Sequence, residues 1–229
     1  AEGGWISFAR YMELALYAPG LGYYVAGNRK FGAAGDFVTA PELSPLFGQC
    51  VAEAIRPALA AGGEVLELGA GSGALAAAVL DALAMLDALP ERYRILEVSP
   101  ELAARQRARI EDSPWLDRVE WIDALPDSFN GVVLANEVLD ALPVHLVRWQ
   151  AGAIYERGVT WTQEGFAWQD RPLFSGALRN AAEALAIDAA DGEYLSEINL
   201  AAPALVRSLG ERLRRGLILL IDYGFGRAE

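Results

Sequence analysis

Residues 64–80, EVLELGAGSGALAAAVL, carry the pattern from which the fold can be predicted. The first five residues are mostly apolar and of strand length, and the last seven have the Ala, Leu and Val content of a buried helix. Three glycines, Gly69, Gly71 and Gly73, lie between the two segments. A strand, a glycine turn and a helix in this order predict a βα unit of a parallel α/β sheet.

The glycine turn is compatible with more than one ligand. Glycine permits a tight turn and lets a ligand approach the backbone, while the N-terminus of the following helix offers free N–H groups. The turn fits the pattern G-x-G-x-G, and with Ala74 in the last position it also fits the dinucleotide pattern G-x-G-x-x-A. A tight turn with a purely structural role is a third interpretation.

Three acidic residues near the ends of successive strands help to choose between these ligands. Glu67 precedes the first glycine by two residues, where a carboxylate would repel a pyrophosphate but attract the sulfonium and ammonium groups of S-adenosylmethionine. Glu97 ends the second strand, where an acid can accept hydrogen bonds from both ribose hydroxyls, although this would suit NAD as well. Asp123 ends the third strand and can accept a hydrogen bond from an adenine amino group. Together the three acids favour S-adenosylmethionine.

Strands and helices alternate from residue 64 onward. Five strand-like segments follow one another: EVLELG, RYRILEVS, RVEWID, GVVLAN and GLILLIDYG. Helical spacing and composition predict helices over 7–17, 41–59, 74–89, 100–111, 175–186 and 202–214. The expected fold is therefore α/β, with a mostly parallel, Rossmann-like sheet and helices on both faces.

A different pattern interrupts this alternation at residues 144–171. The segments VHLVRW, AIYERGVTW and GFAWQD alternate as strands do and are separated by glycine turns, so we expect an inserted antiparallel strand region. The chain ends soon after the GLILLIDYG segment. Because an open sheet rarely ends with its central strand bare, we expect further strands of the fold beyond residue 229.

Composition argues against several classes of protein. The 229 residues are 53% apolar and carry 31 acidic against 19 basic side chains, a net charge of −12. Nucleic acid binding depends on clustered Lys and Arg, so we expect no nucleic acid partner. No apolar run reaches the roughly 18 residues that a membrane span needs. With one cysteine, Cys50, and one histidine, His145, we also expect no metal site.

Six longer motifs are similar to those of a known family: ISFARYMELALYAPGLGYY, GDFVTAPELSPLFGQ, LELGAGSGAL, LEVSPELAARQ, ANEVLDALPVH and LLIDYG. On these motifs the chain resembles the MidA family of class I methyltransferases, which includes a methyltransferase of mitochondrial complex I assembly that acts on a protein arginine. The glycine motif is common to many methyltransferases. NEVLDALPVH and GDFVTAPELSPLFG are far more specific, and they carry most of the resemblance.

The resemblance implies a methyltransferase sheet preceded by an N-terminal extension. Residues 1–62 would form a helical extension that packs on the core, and residues 63–229 would form the S-adenosylmethionine-binding domain with its inserted strands. The residues implied to hold the cofactor are Glu67, Gly69, Gly71, Gly73 and Glu97. The residues implied to face the substrate are Asn136, Glu137 and Asp140.

The segment VVLANEVLDALPVH, residues 132–145, places carboxylates where a substrate would bind. In an open parallel sheet, ligands bind outside the carboxyl ends of the strands. If a helical turn begins at Glu137, Asp140 lies on the same face, and the two carboxylates can clamp a guanidinium in bidentate geometry. We expect Glu137 to orient the substrate nitrogen and accept its proton, while Asp140 either assists or only stabilises the turn. His145 is expected to be structural rather than a general base.

Other polar residues have weaker claims on the site. Asp36, Thr39 and Glu42 in GDFVTAPE could close over the cofactor, but a capping box at the start of the 41–59 helix already explains Thr39 and Glu42. Asp222 and Tyr223 end the last strand and either line the pocket or only pack against it.

The leading functional hypothesis is a protein-arginine methyltransferase that uses S-adenosylmethionine and acts on a protein partner. The family precedent for that partner is a subunit of a respiratory complex. Two other functions stay open, a non-catalytic S-adenosylmethionine-binding assembly factor and an NAD-dependent oxidoreductase. The resemblance implies the cytoplasm for a bacterial protein and the mitochondrial matrix for a eukaryotic one.

Overall fold

The computed structural model describes residues 4–24, 39–189 and 192–224, which form seven α-helices and ten β-strands. The helices are α1 (Phe8–Tyr17), α2 (Ala40–Leu43), α3 (Pro45–Leu59), α4 (Ala74–Met85), α5 (Pro100–Ile110), α6 (Ala177–Ala184) and α7 (Ala201–Arg212). The strands are β1 (Trp5–Ser7), β2 (Glu64–Leu68), β3 (Tyr93–Leu96), β4 (Val119–Ile122), β5 (Phe129–Asn136), β6 (His145–Gln150), β7 (Ala153–Thr162), β8 (Gly165–Pro172), β9 (Glu193–Ile198) and β10 (Leu213–Ile221). Among the helices described, none is both long and apolar enough to cross a membrane.

Five strands form a parallel sheet in the order β10-β5-β2-β3-β4. In the middle of this sheet Val65 of β2 pairs with Val132 of β5 on one side and with Tyr93 of β3 on the other. The α/β fold predicted from the alternation of strands and helices is confirmed. Because all five strands run in one direction, their carboxyl ends lie along one edge of the sheet.

The core of the parallel sheet is apolar on both faces. Helices α3, α4 and α5 contribute to a buried cluster with the strand residues Val65, Ile95 and Leu134. Leu66 and Val133 alternate with these residues, point to the opposite face and are also buried. Burial of both faces explains why β2 and β5 appear in the sequence as nearly continuous apolar runs.

The inserted strands belong to a second, antiparallel sheet. Its order is β1-β7-β6-β9, and β8 is a further neighbour of β7, with which it pairs along Tyr155–Thr162. Strands β1 and β9 were not predicted from the sequence: β1 pairs with the end of β7, and β9 pairs along the whole of β6. A separate apolar cluster lies on this sheet and contains Trp149, Ile154 and Leu178.

The chain divides into two compact units. One unit comprises residues 1–26 and 141–206 and contains the antiparallel sheet, and the other comprises residues 27–140 and 207–229 and contains the parallel sheet. This division differs from the boundary expected after residue 62, because α3 packs in the core of the parallel sheet whereas α1 belongs with the antiparallel strands. The inserted region is also longer than residues 144–171, since β9 is needed to complete its sheet.

The helix predicted over residues 41–59 is interrupted at Ser44. The Ser44 side chain accepts a hydrogen bond from the Leu46 amide (3.2 Å) and caps α3 separately from α2. Thr39 precedes α2 but makes no capping hydrogen bond with its side chain. The capping box predicted for Thr39 and Glu42 is therefore wrong: a helix does begin after Thr39, but it is the short α2, and the Thr39 side chain makes no capping hydrogen bond.

A polar pair lies within the core of the parallel sheet. Glu67 on β2 is 2% exposed, and its carboxyl group accepts a hydrogen bond from the Tyr93 hydroxyl on β3 (2.7 Å). Burial raises the pKa of Glu67 to about 7, although the hydrogen bond from Tyr93 opposes the rise. At neutral pH this carboxyl group is thus divided between its protonated and charged forms.

The raised pKa of Glu67 makes a prediction about stability and pH. The folded state holds the proton more tightly than the unfolded state, whose pKa is near 4.5. The stabilisation is therefore complete below about pH 4.5 and is lost as the pH rises through about 7, a change of roughly 3 kcal/mol in the free energy of unfolding. We expect Glu67→Gln to remove this loss, so that above pH 7 the variant unfolds at a higher temperature than the wild type.

The control is the same substitution at an exposed position. Glu53→Gln removes a surface carboxylate that pairs with Arg56, and it should leave the pH profile of thermal unfolding like that of the wild type. Parallel pH profiles for the wild type and Glu67→Gln would contradict the assignment.

Candidate active site

The residues that directly follow the five parallel strands form the candidate site. In the order of the sheet they are Asp222, Glu137, Gly69, Glu97 and Asp123. Four carboxylates and one glycine thus lie along the edge where ligands bind in open α/β sheets. The glycine after the central strand β2 separates two carboxylates that follow β5 and β10 from two that follow β3 and β4.

The glycine turn between β2 and α4 has the backbone of a ligand cradle. Gly69, Gly71 and Gly73 have φ angles of 61°, 55° and 83°, a region that side chains with a Cβ atom rarely adopt. A Cβ atom on Gly69 would lie 3.2 Å from Cγ2 of Val138, and one on Gly73 would lie 3.3 Å from Cα of Gln106. The turn therefore requires glycine both for its left-handed conformation and because neighbouring residues lie close to it; Gly69 is exposed, whereas Gly73 is buried.

A cleft opens beside the ends of β3 and β4. Its volume is about 440 Å³, within the range of roughly 300 to 1,000 Å³ that is usual for small-molecule sites. Glu97 and Asp123 line it together with the Trp121 ring, over which the Arg107 guanidinium lies at 4.6 Å from the ring centroid. The cleft thus combines an aromatic ring, covered on one face by a guanidinium, with two carboxylates.

Glu97 is held by donors from its own loop and from α5. One carboxylate oxygen accepts a hydrogen bond from the Ser99 amide (2.8 Å), and the other accepts one from the Gln106 side chain (2.9 Å). Burial raises the pKa of Glu97, while the hydrogen bonds from Ser99, Gln106 and the Val98 backbone oppose the rise. Gln106 was not singled out from the sequence, although its helical spacing with Leu102 and Ile110 marks a polar side chain on the buried face of α5.

A residue of α2 forms a hydrogen bond with the glycine turn. The Ser72 hydroxyl donates a hydrogen bond to the Glu42 carboxylate, and Arg109 lies 3.8 Å from the same carboxylate. Glu42 is therefore at the glycine turn instead of capping a helix. Asp36, which was considered with it, lies outside the described residues.

Glu67 lies in the core beneath the turn. Its carboxyl group is buried and accepts a hydrogen bond from the Tyr93 hydroxyl. A buried polar group needs such a partner whether or not a ligand binds nearby. The attraction of Glu67 to the positive groups of a cofactor stays a prediction.

The backbone at Glu137 is strained. Its φ angle is 52°, a left-handed conformation that costs a residue with a Cβ atom about 1–2 kcal/mol, and its amide donates to the Ile221 carbonyl (2.8 Å). The helical turn predicted to begin here does not form: Glu137 itself is left-handed, and the residues that follow it are in bends and turns, not in a helix. Strain of this kind often accompanies functional sites, where the surrounding structure holds it in place.

Asp222 holds the segment that follows Glu137. One of its carboxylate oxygens accepts hydrogen bonds from the Leu139 amide (2.9 Å) and the Asp140 amide (3.2 Å). The Tyr223 hydroxyl donates to the Asp140 carboxylate (2.7 Å), which raises the pKa of Tyr223 to about 12. The last strand therefore takes part in placing Asp140, a role that the sequence left undecided.

Glu137 belongs to a cluster of three carboxylates, with Asp140 and Asp222 as its neighbours. Desolvation raises the pKa of Glu137, the Asn136 amide opposes the rise, and the charges of Asp140 and Asp222 increase it further. The contact from Asn136 is long, at 3.4 Å, so it is a weak hydrogen bond. Such a cluster attracts cations, and its central carboxylate binds a proton more readily than an isolated one.

His145 is engaged elsewhere. Its Nδ1 atom lies 2.8 Å from the Glu156 carboxylate on the neighbouring strand β7. Within the described residues there is also no group of three or more His, Cys, Asp and Glu side chains that could hold a metal ion.

Known proteins with similar sequences include mitochondrial enzymes of animals. The chain is 32% identical over 189 residues to the "Protein arginine methyltransferase NDUFAF7 homolog, mitochondrial" of Caenorhabditis elegans, covering 71% of this chain and 44% of that protein. It is 28% identical over 256 residues to the NDUFAF7 protein arginine methyltransferase of Danio rerio, covering 96% of this chain and 59% of that protein. The chain thus spans about half the length of these relatives.

A solved structure and a family model agree with these similarities. A COG1565 superfamily protein of Burkholderia thailandensis, crystallised with S-adenosyl-homocysteine, is 49% identical with a TM-score of 0.90, covering 98% of this chain and 59% of that one. A family model described as "Putative S-adenosyl-L-methionine-dependent methyltransferase" matches residues 48–229. The chain therefore belongs to this family of S-adenosyl-L-methionine-dependent methyltransferases.

Proposed function

We propose that this protein transfers a methyl group from S-adenosylmethionine to the guanidinium of an arginine in a protein substrate. The observation that carries the proposal is the cluster of Glu137, Asp140 and Asp222 at the ends of β5 and β10, next to the glycine turn at the end of β2. Val138 lies close to Gly69, so the acidic segment borders the turn directly. The animal relatives bear the name of protein arginine methyltransferases.

The cofactor fits the groups on the other side of the turn. The left-handed glycines at positions 69, 71 and 73 form a cradle without side chains, as close approach of the methionine part requires. Glu97 would accept hydrogen bonds from the ribose hydroxyls, and Asp123 would accept one from the adenine amino group, because both line the cleft beside Trp121. The Burkholderia relative was crystallised with the demethylated form of this cofactor.

The substrate fits the acidic cluster. A guanidinium is planar and always charged, and it forms paired hydrogen bonds with carboxylates. Glu137 would orient the reacting nitrogen, while Asp140 is held at a fixed place by Tyr223 and by the Asp222 contact to its amide. The net charge of −12 favours the approach of a basic segment of a protein.

The chemistry asks little more of the protein. S-adenosylmethionine, when bound, supplies an electrophilic methyl group on a sulfonium. Holding the guanidinium nitrogen in line with that group lowers the barrier, since orientation replaces a random encounter. The nitrogen must also lose a proton, and Glu137 can accept it, because desolvation and two neighbouring carboxylates raise its pKa toward the range of a useful base.

The substrate protein and the cellular location rest on the resemblance. A subunit of a respiratory complex is the candidate substrate, and the location would be the cytoplasm of a bacterium or the mitochondrial matrix of a eukaryote. The animal relatives are named as mitochondrial proteins.

Replacing Glu137 by Gln tests the reaction. The variant keeps the size of the side chain but cannot accept the proton, so we expect methyl transfer to fall at least about a hundredfold. The affinity for S-adenosylhomocysteine should stay within about twofold, because Glu137 lies on the substrate side of the turn. The measurement is transfer of labelled methyl groups to proteins of a host lysate, followed by mass spectrometry of the labelled protein.

Three outcomes would contradict the proposal. Label on lysine or on nucleic acid would exclude the arginine assignment, and loss of S-adenosylhomocysteine binding in Glu137→Gln would place this residue in the cofactor site. A wild-type protein that binds the cofactor but labels nothing would instead indicate a non-catalytic binding factor. Glu111→Gln, at an exposed position after α5, is the control and should transfer at the wild-type rate.

Two substitutions of Asp222 separate positioning from charge. Asp222→Ala removes the acceptor for the Leu139 and Asp140 amides, so we expect transfer to fall about tenfold to a hundredfold through misplacement of the acidic segment. Asp222→Asn keeps one acceptor oxygen and should retain a rate within about threefold of the wild type. Equal losses in both variants would mean that the charge of Asp222 matters more than its hydrogen bonds. The rates are measured in the same labelling assay, with thermal unfolding as the check on folding.

A further inference from the structure

Gln106 is a buried amide that joins three parts of the cofactor side. It lies on α5 and has no exposed surface. Its side-chain nitrogen donates to the Gly71 carbonyl (3.1 Å) and to the Glu97 carboxylate (2.9 Å), and its oxygen accepts from the Trp121 indole (3.0 Å). The amide therefore connects the glycine turn, the acid after β3 and the aromatic wall of the cleft.

The orientation of this amide is determined by its partners. The indole nitrogen of Trp121 can only donate, while the Gly71 carbonyl and the ionised Glu97 carboxylate can only accept. Rotating the amide by half a turn would place two acceptors against the Gln106 oxygen and two donors against each other. Since unpaired buried polar groups cost about 1–3 kcal/mol each, a single orientation is strongly preferred.

This arrangement restrains the Glu97 carboxylate from two sides. The Ser99 amide binds one oxygen and Gln106 binds the other, so the plane of the carboxylate cannot turn freely. A carboxylate has about four acceptor positions, so protein donors and a ligand can share it. Glu97 also lines the cleft, and a carboxylate has enough acceptor positions to receive two neighbouring hydroxyls of a ribose.

Gln106 also sets the distance between the glycine turn and Glu97. Its Cα atom lies 3.3 Å from the position of a Cβ atom on Gly73, so α5 packs directly on the glycine turn. One nitrogen atom then bonds both the carbonyl of Gly71 and the carboxylate of Glu97. A cofactor that spans these two places meets them at a separation that the amide holds constant.

We propose that Gln106 is a positioning residue for the cofactor, which acts by holding the Glu97 carboxylate in the orientation that receives the ribose hydroxyls. The inference rests on the proposed function, in which Glu97 binds the ribose of S-adenosylmethionine. Gln106 itself does not line the cleft, so its effect on binding passes through Glu97, Trp121 and the turn.

The test measures whether the loss of affinity on removing a ribose hydroxyl, here called the penalty, becomes smaller when Gln106 is replaced. Calorimetry gives the affinity of each protein for S-adenosylhomocysteine and for its 2′-deoxy analogue. In the wild type we expect loss of the hydroxyl to weaken binding about tenfold to a hundredfold, as for a hydrogen bond to a charged group. In Gln106→Met, which keeps the side-chain length without the hydrogen bonds, we expect weaker binding of S-adenosylhomocysteine and a penalty for the analogue of about threefold or less.

Two further variants control for folding and packing. Trp121→Phe removes the indole donor and leaves Gln106 in place, so it should give an intermediate penalty and decides the matter if Gln106→Met does not fold. Leu102→Ala creates a cavity beneath α5 without touching these hydrogen bonds. It should lower the unfolding temperature and leave the penalty at the wild-type value. If the role of Gln106 were purely structural, Leu102→Ala would reduce the penalty as well.

The outcomes separate this inference from the function on which it rests. A wild-type penalty that persists undiminished in Gln106→Met and Trp121→Phe would overturn the positioning role, as would an equal reduction in Leu102→Ala. A wild type that binds both compounds equally would overturn the ribose role of Glu97 itself, and the inference with it.

Discussion

The parallel pairing of five strands is the constraint on which the candidate site depends. Because β10, β5, β2, β3 and β4 all run in one direction, residues far apart in the chain follow their strands at one edge of the sheet. Asp123 and Asp222 are separated by almost half of the chain, yet both lie along this edge. Buried apolar side chains on both faces hold the strands in register, so the positions of the polar groups follow from the packing of the core.

Three glutamates of this sheet show how one side-chain type serves different purposes. Glu67 points into the core, where burial favours its protonated form and the Tyr93 hydroxyl donates a hydrogen bond to it. Glu97 directly follows β3, two residues beyond the strand position that pairs with Glu67, and it accepts hydrogen bonds that favour its charged form. Glu137 stands in a cluster of like charges, which raises its pKa and makes the site attractive to a cation. Environment, and not residue type, therefore separates the core carboxyl group of Glu67 from the carboxylates that we propose as cofactor ligand and base.

Sequence reasoning succeeded where a signal was local and failed where partners came from distant parts of the chain. The glycine turn and the strand ends at Glu97 and Asp123 were placed correctly, because apolar runs and glycines mark them. The helical turn at Glu137 was wrong, since its conformation depends on a hydrogen bond to Ile221 and on Asp222. Strand β9 was missed because four of its six residues are exposed and it is recognisable mainly by its pairing with β6.

Six longer motifs carried the resemblance to one methyltransferase family. The order of apolar runs, glycines and acids along the chain was enough to predict a parallel α/β sheet with a glycine turn and carboxylates at strand ends. Local patterns suffice for this because strand and helix periodicities and glycine turns depend on neighbouring residues. The direction of each carboxylate came only from the folded arrangement: Glu42 bonds Ser72, Gln106 restrains Glu97, and Asp222 holds the segment after Glu137. Hydrogen bonds between side chains distant in sequence leave no periodic trace in the chain, and their geometry exists only once the sheet has brought their strands together.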